Sequence, residues 1–139
     1  MSPDIAALAR EVGAEIARRG AVLLCGGLGG VMAAAAEAAQ KAGGVTLGIL
    51  PDPDRRRANP YLTYSIPTNL GHARNVIIAH AAHALIAVDG SHGTISEAAI
   101  ALKLGKPVIA LAADWDLPGL VRADNPQEAV ALAWAALAE

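Results

Sequence analysis

The sequence predicts a doubly wound α/β fold, in which a mainly parallel sheet carries helices on both faces. Three observations point there. Short apolar runs without polar alternation recur along the chain, as strands buried on both faces require. Two of these runs lead directly into glycine-rich turns, at 26–30 and 89–93, and each turn opens a helical pattern. The connections between successive elements are short, which favours right-handed crossovers in one layered unit. With 139 residues there is room for a single domain, taken as 1–139.

The first element is a helix. Ser2 stands as its N-cap, Pro3 at its first position and Asp4 in its first turn, and Ile5, Leu8, Val12 and Ile16 recur at helical spacing before Gly20 ends it. Residues 21–25 read as a buried strand and residues 31–42 as an alanine-rich helix, with Gly26, Gly27, Gly29 and Gly30 in the turn between them. Residues 45–50 form a second buried strand. A Pro/Asp-rich loop follows at 51–60, then a shorter strand at 62–66 and a third helix at 70–82. Residues 84–88 repeat the buried-strand pattern, 89–93 form the second glycine turn, and 94–104 a fourth helix closed by Gly105. A further strand spans 106–111, and Asn125-Pro126 opens a terminal helix. This alternation is Rossmann-like. Such domains usually open with a strand, so that strand is either absent here or lies upstream of Met1.

Composition narrows the function. The chain is 54% hydrophobic but only 3% aromatic, with no Phe, so alanine and aliphatic side chains must supply the packing. A net charge of −2 with no basic-aromatic clustering excludes nucleic acid as an expected partner. Cys25 is the lone cysteine, so no intramolecular disulfide forms, and the N-terminus lacks a signal pattern, from which a cytoplasmic location is expected. No apolar run approaches the ~20 residues of a membrane span. Apolar Val76, Ile77 and Ile78 on the third helix exceed what one core face needs, so a homo-oligomer, dimer or tetramer, is expected.

In doubly wound sheets ligands sit at the carboxyl ends of the strands, where both glycine turns fall. A glycine turn before a helix offers unobstructed N–H groups at the positive end of the helix dipole, a setting suited to phosphate. The expected ligand contacts are therefore Gly26, Gly27, Gly29 and Gly30 at the first turn and Gly90, Ser91, His92 and Gly93 at the second. Arg74 and Asn75, in the polar opening of the third helix, join them, because an Arg there can grip phosphate at two points. Glu97 has two readings: a carboxylate beside the anion, or the reciprocal partner of Thr94 in a capping box. The run Arg55-Arg56-Arg57 is a solvated loop or a second phosphate contact. His72 is a further candidate for lining the site. His80 and His83 share a helix face without further ligands nearby, so no metal site is expected.

Taken together, Cys25-Gly26-Gly27-Leu28-Gly29-Gly30-Val31-Met32, Asn59-Pro60-Tyr61, Gly71-His72-Ala73-Arg74-Asn75 and Asp89-Gly90-Ser91-His92-Gly93-Thr94-Ile95-Ser96-Glu97 resemble the Lonely Guy-like (SLOG) superfamily, over nearly the whole chain. Within it the chain is most similar to the branch of small bacterial proteins related to molybdenum cofactor carrier proteins. That resemblance implies a carrier that holds a phosphate-bearing nucleotide or molybdopterin-like ligand and requires no cofactor of its own. The Lonely Guy enzymes are nucleoside 5′-monophosphate phosphoribohydrolases. By likeness to them, Gly90, Gly93 and Thr94 would hold the 5′-phosphate, Arg74 would bind phosphate, and Glu97 would stabilise the oxocarbenium-like sugar. The chain departs from the enzyme motif at Asp89, Ser91 and Asn75. A third reading makes the protein a structural oligomerisation module.

Overall fold

Ser2 caps the first helix, α1 (Pro3–Arg18), by accepting the Ile5 amide at 3.2 Å, and proline fills the first helical position. The helix buries Ala6, Ala9, Val12, Gly13 and Ala14, whereas the bulkier Ile5, Leu8 and Ile16 flank that face. Its partner is α2 (Val31–Lys41), which buries Ala34, Ala35, Ala36 and Ala39. The two helices approach so closely that a Cβ on Gly13 would collide with the Ala35 carbonyl. Small residues permit that approach, and the expectation of an alanine-packed interior is met: most of the buried hydrophobic residues described are alanines.

The structure, a computed structural model, describes residues 2–138. It divides into two compact units, Met1–Arg74 and Asn75–Glu139, each with its own three-stranded parallel sheet. In the first unit β1 (Leu23–Cys25) pairs with β2 (Thr46–Leu50), which pairs with β3 (Tyr64–Pro67). Thr46 is fully buried and stitches β3 into register: its hydroxyl bonds to the Tyr61 carbonyl at 2.6 Å and accepts the Thr63 amide at 2.8 Å. In the second unit β4 (Leu85–Val88) pairs with β5 (Val108–Leu111), which pairs with β6 (Val121–Ala123). The helices α3 (Arg74–Ala81), α4 (His92–Lys103) and α5 (Pro126–Leu137) complete the order. Every strand pair described is parallel, and the fold is Rossmann-like α/β.

Several boundaries differ from the sequence expectation. The first strand begins at Leu23, because pairing starts with the Leu23 amide on the Val45 carbonyl, and Val22 is left exposed. The third is an edge strand with alternating exposure, and it runs from Tyr64 to Pro67. Only a 3-10 turn, Gly71–Ala73, occupies the start expected of the third helix, since Asn69 and Gly71 adopt left-handed backbone there. β6 was not anticipated: three residues are too few for a periodic pattern, and its place is set by pairing Ile109 with Val121. The terminal helix starts as expected, with the Asn125 side chain accepting the Glu128 amide at 2.8 Å.

Candidate functional site

The first glycine turn joins β1 to α2. Gly27 and Gly30 have positive φ, at 78° and 66°, values that L side chains adopt only with strain. Asn59 clamps this turn from the loop after β2. Its amide donates to the Gly27 carbonyl at 2.9 Å, its side-chain nitrogen donates to the Leu28 carbonyl at 3.0 Å, and its side-chain oxygen accepts the Tyr61 amide at 3.0 Å. A planar trans peptide whose carbonyl is tied down points its N–H the opposite way, so the clamp directs the Leu28 and Gly29 amides away from Asn59.

Arg74 arrives at the same turn. Residues 68–71 zip onto the end of β2: Thr68 donates its amide and hydroxyl to the Leu50 carbonyl at 3.1 and 2.7 Å, Asn69 donates to the Asp52 carbonyl, and Gly71 to the Pro51 carbonyl, both at 3.0 Å. Arg74 follows, buried, and its two terminal nitrogens lie 2.6 and 2.7 Å from where a Cβ on Gly26 would stand, with Met32 Sδ at 2.6 Å. Gly26 is therefore the slot that receives the guanidinium. Arg74 opens α3 yet is buried, so its guanidinium lies against the first glycine turn and not in solvent.

Each arginine of the basic run has a partner within the first unit. Arg57 grips the Asp52 carboxylate with two bonds of 2.8 and 2.7 Å, Arg55 donates to the Ser65 hydroxyl and carbonyl of β3, and Arg56 pairs with Asp54 at 3.4 Å. The bonds from Arg57 hold the Asp52 carboxyl below the usual aspartate value against the opposing effect of desolvation, and the charges of Arg57 and Arg74 add to this.

The second turn is shorter than the sequence suggested. Asp89 (φ 61°) and Gly90 follow β4, Ser91 is the N-cap, and His92 already belongs to α4. His92, Gly93 and Thr94 thus form the first helical turn, which corrects the capping-box reading: Thr94 is inside the helix and cannot be its N-cap. A Cβ on Gly93 would have only Asn75 Nδ2 at 3.5 Å and Ser91 Oγ at 3.7 Å as neighbours, so Asn75, Ser91 and Gly93 are brought together. Glu97 is half-buried one helical turn further on. Gly90 has a different reason to be glycine. The Trp115 indole occupies the space of its Cβ, and Trp115 Nε1 donates to the Asp89 carbonyl at 3.0 Å.

The helix caps divide into two kinds. α1 and α5 are capped by Ser2 and Asn125 side chains, whereas α2 and α4, the helices after the glycine turns, receive no side-chain cap. Their first-turn N–H groups are the donors that a side chain elsewhere satisfies. His72 and His92 are exposed, as are His80 and His83, and no cluster among the described residues could hold a metal ion. Cys25 is half-buried at the end of β1. Two open clefts in the second unit, about 320 and 440 Å³, are lined by residues such as Leu102, Leu117, Val121 and Leu132 and include none of the predicted site residues. Among the described residues no helix is long and apolar enough to cross a membrane.

Sequence reasoning missed the clamping roles of Asn59 and Trp115. The signal for the second was present: a Trp in a chain with 3% aromatics, placed just beyond a buried strand.

Comparison with known proteins agrees with this architecture. Residues 1–135 match the model of the SLOG cluster4 family. An uncharacterized protein of Archaeoglobus fulgidus is 48% identical over 123 residues, covering 88% of this chain and 81% of that protein. The solved structure of the molybdenum cofactor binding protein from the phototrophic bacterium Rippkaea orientalis superposes with a TM-score of 0.91 at 36% identity, over 96% of this chain and 88% of that one. The molybdenum cofactor carrier protein of Chlamydomonas reinhardtii gives a TM-score of 0.90 at 34% identity, over 100% and 92% of the two chains.

Proposed function

Because the chain belongs to the SLOG cluster4 family, we propose that it is a cytoplasmic binding or carrier protein for a phosphate-bearing ligand of molybdopterin or nucleotide type. The observation that carries this reading is the pair of helices without side-chain caps, each opening directly from a glycine turn. Phosphate oxygens are acceptors that suit such amides, and the helix dipole favours their charge. In the first unit Gly29, Gly30 and the opening of α2 supply amides, and Arg74 adds a fixed cation beside Gly26. In the second unit Ser91, His92, Gly93 and Thr94 supply the corresponding donors, with Asn75 and Glu97 nearby. Gly26 and Gly27 act indirectly, by making room for Arg74 and Leu50, and the missing Cβ of Gly90 makes room for Trp115.

The donor set fits this ligand class: amides, a guanidinium and small residues at points where a Cβ would meet no other part of the chain. The resemblance to molybdenum cofactor proteins at 34–36% identity supports molybdopterin as the first ligand to test. The protein is further proposed to assemble as a homo-oligomer, since Val76 and Ile77 of α3 stay exposed.

The test is a titration of purified protein with isolated molybdenum cofactor and, separately, with adenosine 5′-monophosphate. Saturable binding of one of them, weakened at least tenfold in Arg74→Gln, is the expected result. No binding of either by the wild-type protein removes the proposal. Release of free adenine from the monophosphate, abolished in Glu97→Gln, would replace it with the phosphoribohydrolase reading.

A further inference from the structure

Trp115 lies on the segment 112–120 that leaves β5. This segment is built as a strap. Ala112 enters it in left-handed backbone (φ 56°), and Arg122 on β6 donates to the Ala113 carbonyl at 2.8 Å and also to the Trp115 carbonyl. Asp116 pairs with Arg122 at 3.6 Å and accepts the Leu117 amide at 3.0 Å. The indole body packs against the apolar cluster of Leu85, Ala87, Ala98 and Val108, and its N–H reaches the Asp89 carbonyl at 3.0 Å.

That single bond acts on the geometry of the turn. The Asp89 amide is already committed to the Leu111 carbonyl at 2.9 Å, and Asp89 sits at φ 61°, where the Cβ of an L residue confines the backbone to the narrow left-handed region and so opposes a flip of the 89–90 peptide. Tying the Asp89 carbonyl to the indole adds a second restraint that holds the 89–90 peptide in that orientation. Since that peptide is planar and trans, the Gly90 N–H is turned away from Trp115. The indole also fills the place of a Gly90 Cβ, so this face of the turn is closed and the amide is left toward the opposite one. Asn59 holds carbonyls of the first turn in the same sense.

We infer that Trp115 is a positioning residue for ligand binding: its indole N–H presets the Gly90 amide as a donor to the phosphate group of the ligand. The inference rests on the binding function proposed above and names the element that prepares the second turn for it. The bound group is a phosphate monoester or the terminal phosphate of a pterin phosphate, whose oxygens accept a preset N–H without the turn having to reorganise.

The test uses full-length protein in a Trp134→Phe background, leaving Trp115 as the sole indole. Trp115 is replaced by Phe and, separately, by benzothienylalanine, which keeps the bicyclic shape and exchanges the N–H for sulfur. Affinity for molybdenum cofactor and for adenosine 5′-monophosphate is measured for each form alongside the melting temperature. The expected result is an affinity at least tenfold lower in the benzothienyl form with an unchanged melting temperature, the Phe form losing at least as much. In the amide spectrum of the parent protein, the indole N–H and Gly90 signals should shift together as ligand is added. Equal affinity of the parent and the benzothienyl form, with the parent binding normally, overturns the role of Trp115 and leaves the binding function standing. A parent that binds neither compound overturns both.

Discussion

At Gly29 the fold supplies no internal reason for glycine: no heavy atom lies within 4 Å of where a Cβ would be, and its φ is not in the left-handed region. Gly93 is similar, with only ordinary contacts, and it occupies a helical position where alanine is favoured by about 1 kcal/mol. Gly29→Ala and Gly93→Ala should therefore leave the melting temperature unchanged or raised. Both should cost at least tenfold in ligand affinity, since a methyl group would stand where the ligand approaches. Gly27→Ala should behave oppositely in stability, losing about 1–3 kcal/mol, because its φ of 78° and the Leu50 side chain both oppose a Cβ. Calorimetry with parallel binding titrations separates the two classes, and equal affinity of the Gly93 variant would show that the second turn takes no part in binding.

Asp52 provides a pH signature at the same scale. Its carboxyl is held below the ordinary value of 3.8, first by the bonds from Arg57. A depressed folded-state value means that the stabilisation is fully present above the ordinary aspartate pKa and is lost as pH falls through the lower folded value. The wild-type protein should melt above Asp52→Asn at neutral pH, and the gap should close as the pH is taken below 3.8. A gap that persists unchanged in acid would mean that the pair contributes through shape and not charge.

Among the elements, the loops rather than the strands decide where the functional groups stand. Asn59→Ala would strip hydrogen bonds from the Leu28 carbonyl and the Tyr61 amide together. Breaking these part-buried bonds is expected to cost about 2–3 kcal/mol and to weaken binding at the first turn. α3 is held at its other end by Lys106, whose ammonium donates to the Ala79 carbonyl at 2.8 Å and to that of His80. A cation on the last carbonyls of a helix is worth about 0.3–1 kcal/mol, so Lys106→Met should lower stability by that order while leaving ligand affinity intact. Chemical denaturation measures both effects.

At the scale of the whole molecule, the exposed Val76 and Ile77 of α3 bear on assembly. Light scattering at micromolar concentration should report a dimer or larger species, and Val76→Asp combined with Ile77→Asp should reduce it to a monomer. A monomeric wild-type protein would refute the assembly.

Much of this molecule is written in short windows of its chain. Unbroken apolar runs marked strands, Ser2-Pro3 and Asn125-Pro126 marked helix starts, and glycine after a strand marked the turns, because pleat, periodicity and capping are set by neighbours a few residues apart. The sequence by itself therefore determined the Rossmann-like α/β class and the stretches that carry candidate donors. Tertiary structure alone decided that Arg74 enters the slot at Gly26, that Asn59 and Trp115 hold turn carbonyls, and that 121–123 is a strand. These features join residues 26 to 48 positions apart, or depend on a neighbouring strand. Closing such distances depends on the packing of whole elements, which no local pattern of side chains records.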